Sequence, residues 1–455
     1  MFRKNFQSER QVVMGDKITT VDSVMGTGKT SWAIEYMKKN PQENFMYIAP
    51  LLSEDERICN AVESVGKREM IGPKNKGNGK LADLGYHLAK GHNIASTHHL
   101  FKQLDEGMYE DIAYNKYTLF LDETLDVLEK VKVMKGTLLA MKNFGLITTD
   151  ERGFVTWHEK LENERSDFDG YKELALKHQL LLIDDKFFIW QYPPEIFDLF
   201  ESSILYNYLR LWNKSFEKKS VYVLEDGSRE IGDYYEPNID EMFKDKIHIY
   251  EGRMNSNIKQ GKTTFSKSWL APRKKKSDPD YYDENDRYAR KGSKEDMTQL
   301  KRNLKNYFNT WLGATQDEIM WSTVKSAASV INGRGYMYVN TEEHPDKAND
   351  TFIACNARGS NEFAHKHCLV YALNVFLQPE IRQYFISQSK GEVEINEDAY
   401  ALSQLIQWVW RSAIRNDEEI WIYIPSDRMR ALFKKWLGYH DGELCPKVDY
   451  RGNKE

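Results

Sequence analysis

The segment Ser23-Val24-Met25-Gly26-Thr27-Gly28-Lys29-Thr30 constrains this chain more than any other. It follows Ile18-Thr19-Thr20-Val21, which reads as a strand, and it opens Ser31 to Lys39, which reads as a helix. Its glycines permit a tight loop whose backbone N–H groups turn inward. The helix N-terminus behind the loop adds the positive end of its dipole. Such a loop cradles phosphates, with Lys29 reaching the outer ones and the Thr30 hydroxyl available to Mg²⁺. Ser23, Gly26, Thr27, Gly28, Lys29 and Thr30 are therefore the candidate nucleotide-binding residues. Ser23 stands where the usual pattern has its first glycine, so the loop is a variant.

A second feature belongs with it. Thr118-Leu119-Phe120-Leu121-Asp122-Glu123 is a short apolar strand ending in two carboxylates, 92 residues beyond Thr30. A carboxylate at a strand tip suits the shell of a Mg²⁺ ion, and its neighbour suits the attacking water. Asp122 is assigned to the metal with Thr30, and Glu123 to the water.

The chain has 455 residues, 41% hydrophobic and 29% charged, which suits several cores and excludes long disorder. No run approaches the roughly 18 apolar residues of a membrane helix, and the first residues lack a signal-peptide pattern. A cytoplasmic location, the host cytoplasm for a viral protein, is expected. The formal net charge is −5, so a polyanion site must be a local patch rather than the whole surface. The four cysteines form no CxxC pair. Cys355, His365, His367 and Cys368 hint at zinc, but Cys368 heads an apolar run and reads as a core cysteine.

Residues 1–129 alternate strand and helix in the βαβ rhythm of a parallel sheet. Residues 130–243 read as an insertion rich in hairpins with a return to the first lobe, with turns at Asp184-Asp185 and Asp226-Gly227. Its Trp157, Trp190 and Tyr192 suit a wedge, a partner dock or plain structure. Residues 244–296 read as a connector whose basic run includes Lys262, Arg273 and Lys274, with Phe265 and Trp269 interleaved. The aromatic rings are placed to stack on bases of a single strand. Residues 297–455 repeat the α/β rhythm. Strands are expected around Tyr336, Phe352 and Leu369, followed by a helix from about Glu397 to Arg415. On that helix Gln407, Arg411 and Arg415 fall at i, i+4 and i+8, one polar stripe over an apolar base. The fold expected is α/β, with two RecA-like P-loop lobes, parallel sheets and a hairpin-rich insertion after the acid pair.

These motifs together resemble superfamily 2 (DExx-box) helicases, and specifically compact phage-type DNA helicases. Ser23 to Thr30 is similar to motif I, and Asp122-Glu123-Thr124-Leu125 to the DExx box. Tyr47 to Leu52, with Pro50, and Ser96-Thr97-His98 match the family's backbone-contacting motifs Ia and Ic. Ile204 to Tyr208 is the candidate for motif III. In the second lobe Ala357-Arg358-Gly359-Ser360-Asn361-Glu362 resembles motif V. Gln407 to Arg415 resembles motif VI, with its last arginine one residue late.

The resemblance implies ATP and Mg²⁺ as cofactors, with Gly359 and Glu362 joining the nucleotide site. It implies Arg411, Arg415 and Gln407 as catalytic partners of Glu123. DNA, read with little sequence preference, would be met by Pro50, Thr97, His98, Lys262, Trp269, Arg273, Lys274 and Arg358. The implied activity is ATP-dependent unwinding or translocation on DNA, in phage replication or recombination, with replication proteins as partners and no membrane. A terminase-like packaging ATPase shares the first two motifs but needs a nuclease-like second domain with clustered acids. An ATP-gated DNA-binding or annealing factor that never unwinds is the rival from another class.

Overall fold

The computed structural model describes residues 18–23, 26–63, 69–123, 128–131, 135–158, 168–192, 196–206, 217–251, 297–341, 344, 349–355, 362–389 and 395–446. They belong to two compact units. The first is Met1–Tyr235 with Gln378–Ile395, and the second is Glu236–Leu377 with Asn396–Glu455.

The first unit opens with β1 (Ile18–Val21), α1 (Lys29–Lys39), β2 (Asn44–Ala49), α2 (Leu52–Glu63), β3 (Met70–Ile71) and α3 (Lys80–Ala89). It continues through β4 (Asn93–Thr97), α4 (His98–Phe101), α5 (Glu106–Tyr114) and β5 (Tyr117–Leu121). An excursion follows: β6 (Leu128–Lys130), α6 (Lys135–Asn143), β7 (Ile147–Thr149), β8 (Val155–Trp157), α7 (Asp169–Leu176), β9 (Leu180–Ile183) and β10 (Lys186–Trp190). The chain returns as β11 (Ser202–Tyr206), β12 (Glu217–Val223) and β13 (Arg229–Asp233).

Eight strands form one sheet in the order β13-β12-β1-β11-β5-β2-β4-β3. Every neighbouring pair is parallel except β12 with β13. Strands of a parallel sheet are buried on both faces, which accounts for the fully buried Phe45-Met46-Tyr47-Ile48-Ala49 and Leu119-Phe120-Leu121. Trp32, Ala33 and Met37 of α1 close one face with Ile58 of α2, and Leu84, Leu88 and Ile112 help close the other. β11 lies between β1 and β5, so the phosphate-loop strand and the acid strand stand two spacings apart, about 10 Å.

Asp184 and Asp185 both take positive φ, 47° and 56°, the conformation that turns β9 back into β10. The second expected hairpin, around Asp226-Gly227, joins β12 to β13 and edges the main sheet rather than the excursion. The excursion also gains a later helix, α11 (Pro379–Gln388). Its Tyr384 packs with Leu128, Phe154, Leu181, Phe188 and Trp190, and its Glu380 pairs with Lys186. Trp190 and Tyr192 are buried, the first in that small core and the second against Phe101 in the main one, and Trp157 rims a third.

The second unit contains α8 (Ile239–Phe243), β14 (Ile247–Ile249), α9 (297–305, continuing as a π-helical stretch Asn306–Leu312), β15 (Ile319–Thr323), α10 (Lys325–Ile331) and β16 (Cys368–Ala372). After α11 (Pro379–Gln388) come α12 (Glu397–Val409), β17 (Ile420–Tyr423) and α13 (Asp427–Trp436). Its sheet is parallel, in the order β14-β17-β16-β15.

Three expectations are corrected here. Residues 239–249 belong to the second unit, because Ile247-His248-Ile249 pairs with Ile420 to Ile422. Tyr336 and Phe352 make isolated bridges instead of strands. The long helix ends at Val409 instead of Arg415. Ser412 Oγ donates to the Val409 carbonyl at 2.6 Å, and the Ala413 N–H is taken by the Lys366 carbonyl at 2.9 Å. No helix of the described residues is long and apolar enough to cross a membrane.

Asp55, in the first turn of α2, is 3% exposed, and burial pushes its carboxyl up to about 8. The folded chain therefore holds a proton that the unfolded chain releases near pH 4. This contribution to stability is complete below pH 4 and lost as pH rises through 8. Asp55→Asn, which mimics the protonated acid, should melt at the same temperature as wild type at pH 4. At pH 9 it should melt on the order of 5 °C higher. Parallel melting curves across that range would show that the carboxyl titrates normally.

Candidate functional site

Gly26 and Gly28 take φ of 88° and 89°, a region glycine enters freely and other residues rarely. Gly28 caps α1, its carbonyl accepting the Trp32 N–H at 2.8 Å. Lys29 is only 8% exposed, and its ammonium reaches back along the loop to donate to the Ser23 carbonyl at 2.7 Å. The loop is thus closed on itself by the residue assigned to the outer phosphates. Ser23 uses its hydroxyl as well, since Oγ accepts the Val221 N–H of β12 at 2.9 Å.

The acid strand arrives beside it. The Asp122 N–H donates to the Ile48 carbonyl at 2.9 Å, which carries the β2–β5 pairing one residue past the strand. Thr30 Oγ1 lies 3.4 Å from Asp122 Oδ2, and Tyr47 donates to the same oxygen at 2.8 Å. Burial pushes the Asp122 carboxyl up, while the Tyr47 hydrogen bond and the Lys29 charge pull it down. A cation at this oxygen would favour the ionised form further. Thr30 and Asp122 offer hard oxygen donors, the kind Mg²⁺ takes together with water and phosphate, so the residues fit that ion.

Glu123 has φ of 63°, left-handed backbone for a non-glycine residue. Such a conformation costs about 1–3 kcal/mol and clusters at functional sites. It falls two residues past the end of β5.

Tyr47, on β2, was expected only as the first residue of the motif Ia match and not as a partner of the acid pair. It sits directly opposite Phe120 in the β2–β5 register, and Tyr206 of β11 stacks on the other side of that ring. Arg229 and Glu35 were also missed. The β13 arginine is paired with the α1 carboxylate at 2.9 Å, and no local pattern connects residues 194 apart.

Thr97 caps α4, accepting the Leu100 N–H at 3.3 Å, and Pro50 follows β2, half-buried. His98, expected as a DNA contact, is 7% exposed, and its Nε2 is 2.8 Å from the Asp122 carbonyl, so it ties the end of β4 to the acid pair. Ile204 to Tyr206 of the motif III candidate lie in β11, between the two site strands. In the second unit Gln407 is half-buried on α12, and Glu362 is exposed ahead of β16. Arg411, 6% exposed, and Arg415, exposed, lie beyond the end of that helix, so the single stripe of three side chains is not formed. His365 and His367 face Asp317 and Glu418, and Cys368 is buried in β16. Arg358, Gly359, Lys262, Trp269, Arg273 and Lys274 lie outside the described residues.

Residues 241–437 match the family model of the YonV C-terminal Rossmann-like domain, and residues 128–190 match that of the YonV middle domain. The second match coincides with the excursion β6 to β10. The chain is 33% identical over 452 residues to the SPbeta prophage-derived uncharacterized protein YonV of Bacillus subtilis (strain 168), covering 93% of this chain and 99% of that one. Among solved structures it is similar to apo XPD (TM-score 0.49, 12% identity, 93% of this chain and 95% of that chain). It is also similar to an XPD helicase (TM-score 0.47, 12% identity, 93% and 94%) and to the DUF1998 helicase MrfA bound to DNA (TM-score 0.36, 10% identity, 96% and 50%).

Proposed function

The chain belongs to the YonV family, and from that premise we propose that it is an ATP-hydrolysing DNA helicase or translocase of phage origin. One observation carries the reading. The Thr30 hydroxyl of a glycine-rich phosphate loop stands 3.4 Å from the carboxylate of Asp122, whose neighbour Glu123 is held in a left-handed conformation. That combination suits phosphoryl transfer to water more than nucleotide storage.

In this reading Ser23, Gly26, Thr27, Gly28 and Lys29 hold the triphosphate. Thr30 and Asp122 would hold Mg²⁺, which neutralises phosphate charge when bound. Glu123 orients the attacking water and takes its proton. Gln407, Arg411, Arg415, Gly359 and Glu362 are the second unit's proposed nucleotide-facing residues. Pro50, Thr97, His98, Arg358, Lys262, Trp269, Arg273 and Lys274 are the proposed DNA contacts. The prophage-derived relative supports a phage setting, where the host cytoplasm supplies ATP and DNA.

ATPase measurement with and without single-stranded DNA, beside strand displacement on a forked duplex, tests the reading. Stimulated hydrolysis with displacement is expected. Stimulated hydrolysis without displacement leaves a translocase or packaging motor. Binding of DNA gated by ATP, without turnover, would replace the motor by a switch.

A further inference from the structure

The β12–β13 hairpin stands beside the phosphate loop and touches both of its ends. At the start, the Asp22 N–H donates to the Lys219 carbonyl at 3.0 Å, and Ser23 Oγ accepts the Val221 N–H. At the far end, the Arg229 guanidinium lies on Gly28. A β-carbon at Gly28 would overlap Arg229 Nε and stand 3.0 Å from its Cδ and 3.3 Å from its Cζ. Glu35 of α1 fixes the same residue twice, accepting the Arg229 backbone N–H and an Nη1–H, each at 2.9 Å. The Nε atom is buried and has no hydrogen-bond partner among the described residues.

We propose that Arg229 is a positioning residue of the nucleotide site, which braces Gly28 and so sets the affinity for ATP. This rests on the ATP-site reading above. Glycine passes easily between negative and positive φ, so a loop built on it needs something outside to select one conformation. The flat guanidinium does so from the β13 side, while its carboxylate partner anchors it to the helix that the loop opens. With φ held at 89°, Gly28 presents the amides at the start of α1 in one arrangement before any phosphate arrives, and pre-organisation of this kind raises affinity.

Two further observations fit. The hairpin already has five paired positions, so it does not need the arginine to form. Serine in place of the usual first glycine also acquires a reason, because its hydroxyl gives the hairpin an acceptor that glycine lacks. A lysine would keep the charge but lose the planar surface and the fork.

The test uses the full chain, with ATP turnover measured at saturating single-stranded DNA and Lys29→Ala run beside it. Arg229→Ala should raise KM for ATP about tenfold, the equivalent of one charge-assisted contact, with kcat changed by less than about threefold. Arg229→Lys should fall between, at about threefold in KM. The three proteins should rank Arg, Lys, Ala in nucleotide affinity, with melting temperatures within a few degrees of one another.

An unchanged KM in Arg229→Ala, with Lys29→Ala inactive, would overturn the brace and leave the ATP site standing. A lowered melting temperature with KM unmoved would overturn it too, by reducing the arginine to structure. Turnover by Lys29→Ala would instead remove the ATP-site reading on which the brace depends. If Arg229→Ala does not fold, Arg229→Lys and Glu35→Gln carry the same KM readout.

Discussion

Lys29→Ala is expected to remove ATP turnover, by at least about a hundredfold, the scale on which one pre-organised electrostatic contact acts in a transition state. Lys29 is not an exposed loop residue: it is 8% exposed, and its ammonium donates to the Ser23 carbonyl. Alanine therefore removes a packed stem together with the charge. Lys29→Met, which keeps most of the stem, should be equally inactive while melting closer to wild type. If both variants hydrolyse ATP at the wild-type rate, the loop does not hold a triphosphate, and the reading of the whole first unit falls with it.

Glu123→Gln should fold, bind ATP within a few-fold of wild type and hydrolyse it about 10²–10⁴ times more slowly, the range a general base contributes. The swap isolates the chemistry. Glutamine has the same shape and meets the same backbone cost at φ of 63°, but its amide cannot take the water's proton. Asp122→Asn should behave differently. Asp122 shares its Oδ2 with Thr30 and Tyr47, so its neutral variant should lose affinity for Mg-ATP before it loses anything else. The opposite pattern, binding lost in Glu123→Gln and the milder change in Asp122→Asn, would exchange the two roles.

The sequence by itself determined whatever depends on neighbours along the chain. The order of apolar run, glycine-rich loop and helix-forming segment placed a tight turn after β1, and Gly26 and Gly28 took the positive φ that their freedom allows. Apolar runs such as Thr118 to Leu121 became buried parallel strands, because a continuous apolar run suits a strand covered on both faces. Asp184-Asp185 and Asp226-Gly227 turned their hairpins for equally local reasons.

Only the tertiary structure decided which strand stands beside which. β11 entered between β1 and β5, and this brought Tyr206 next to Phe120, a ring 86 positions earlier in the sequence. Tyr47 became the partner of Asp122 through register, and Arg229 met Glu35 through a hairpin that returns to the edge of the first sheet. The motif VI helix shows the same limit from the other side. Its periodicity runs on to Arg415, but Ser412 takes the Val409 carbonyl and Ala413 bonds to Lys366, a residue 47 positions away, so the helix stops at Val409. Periodicity records which face of a segment is apolar. It does not record which distant carbonyl will capture the backbone, and that competition set where this helix ends and where Arg411 and Arg415 stand.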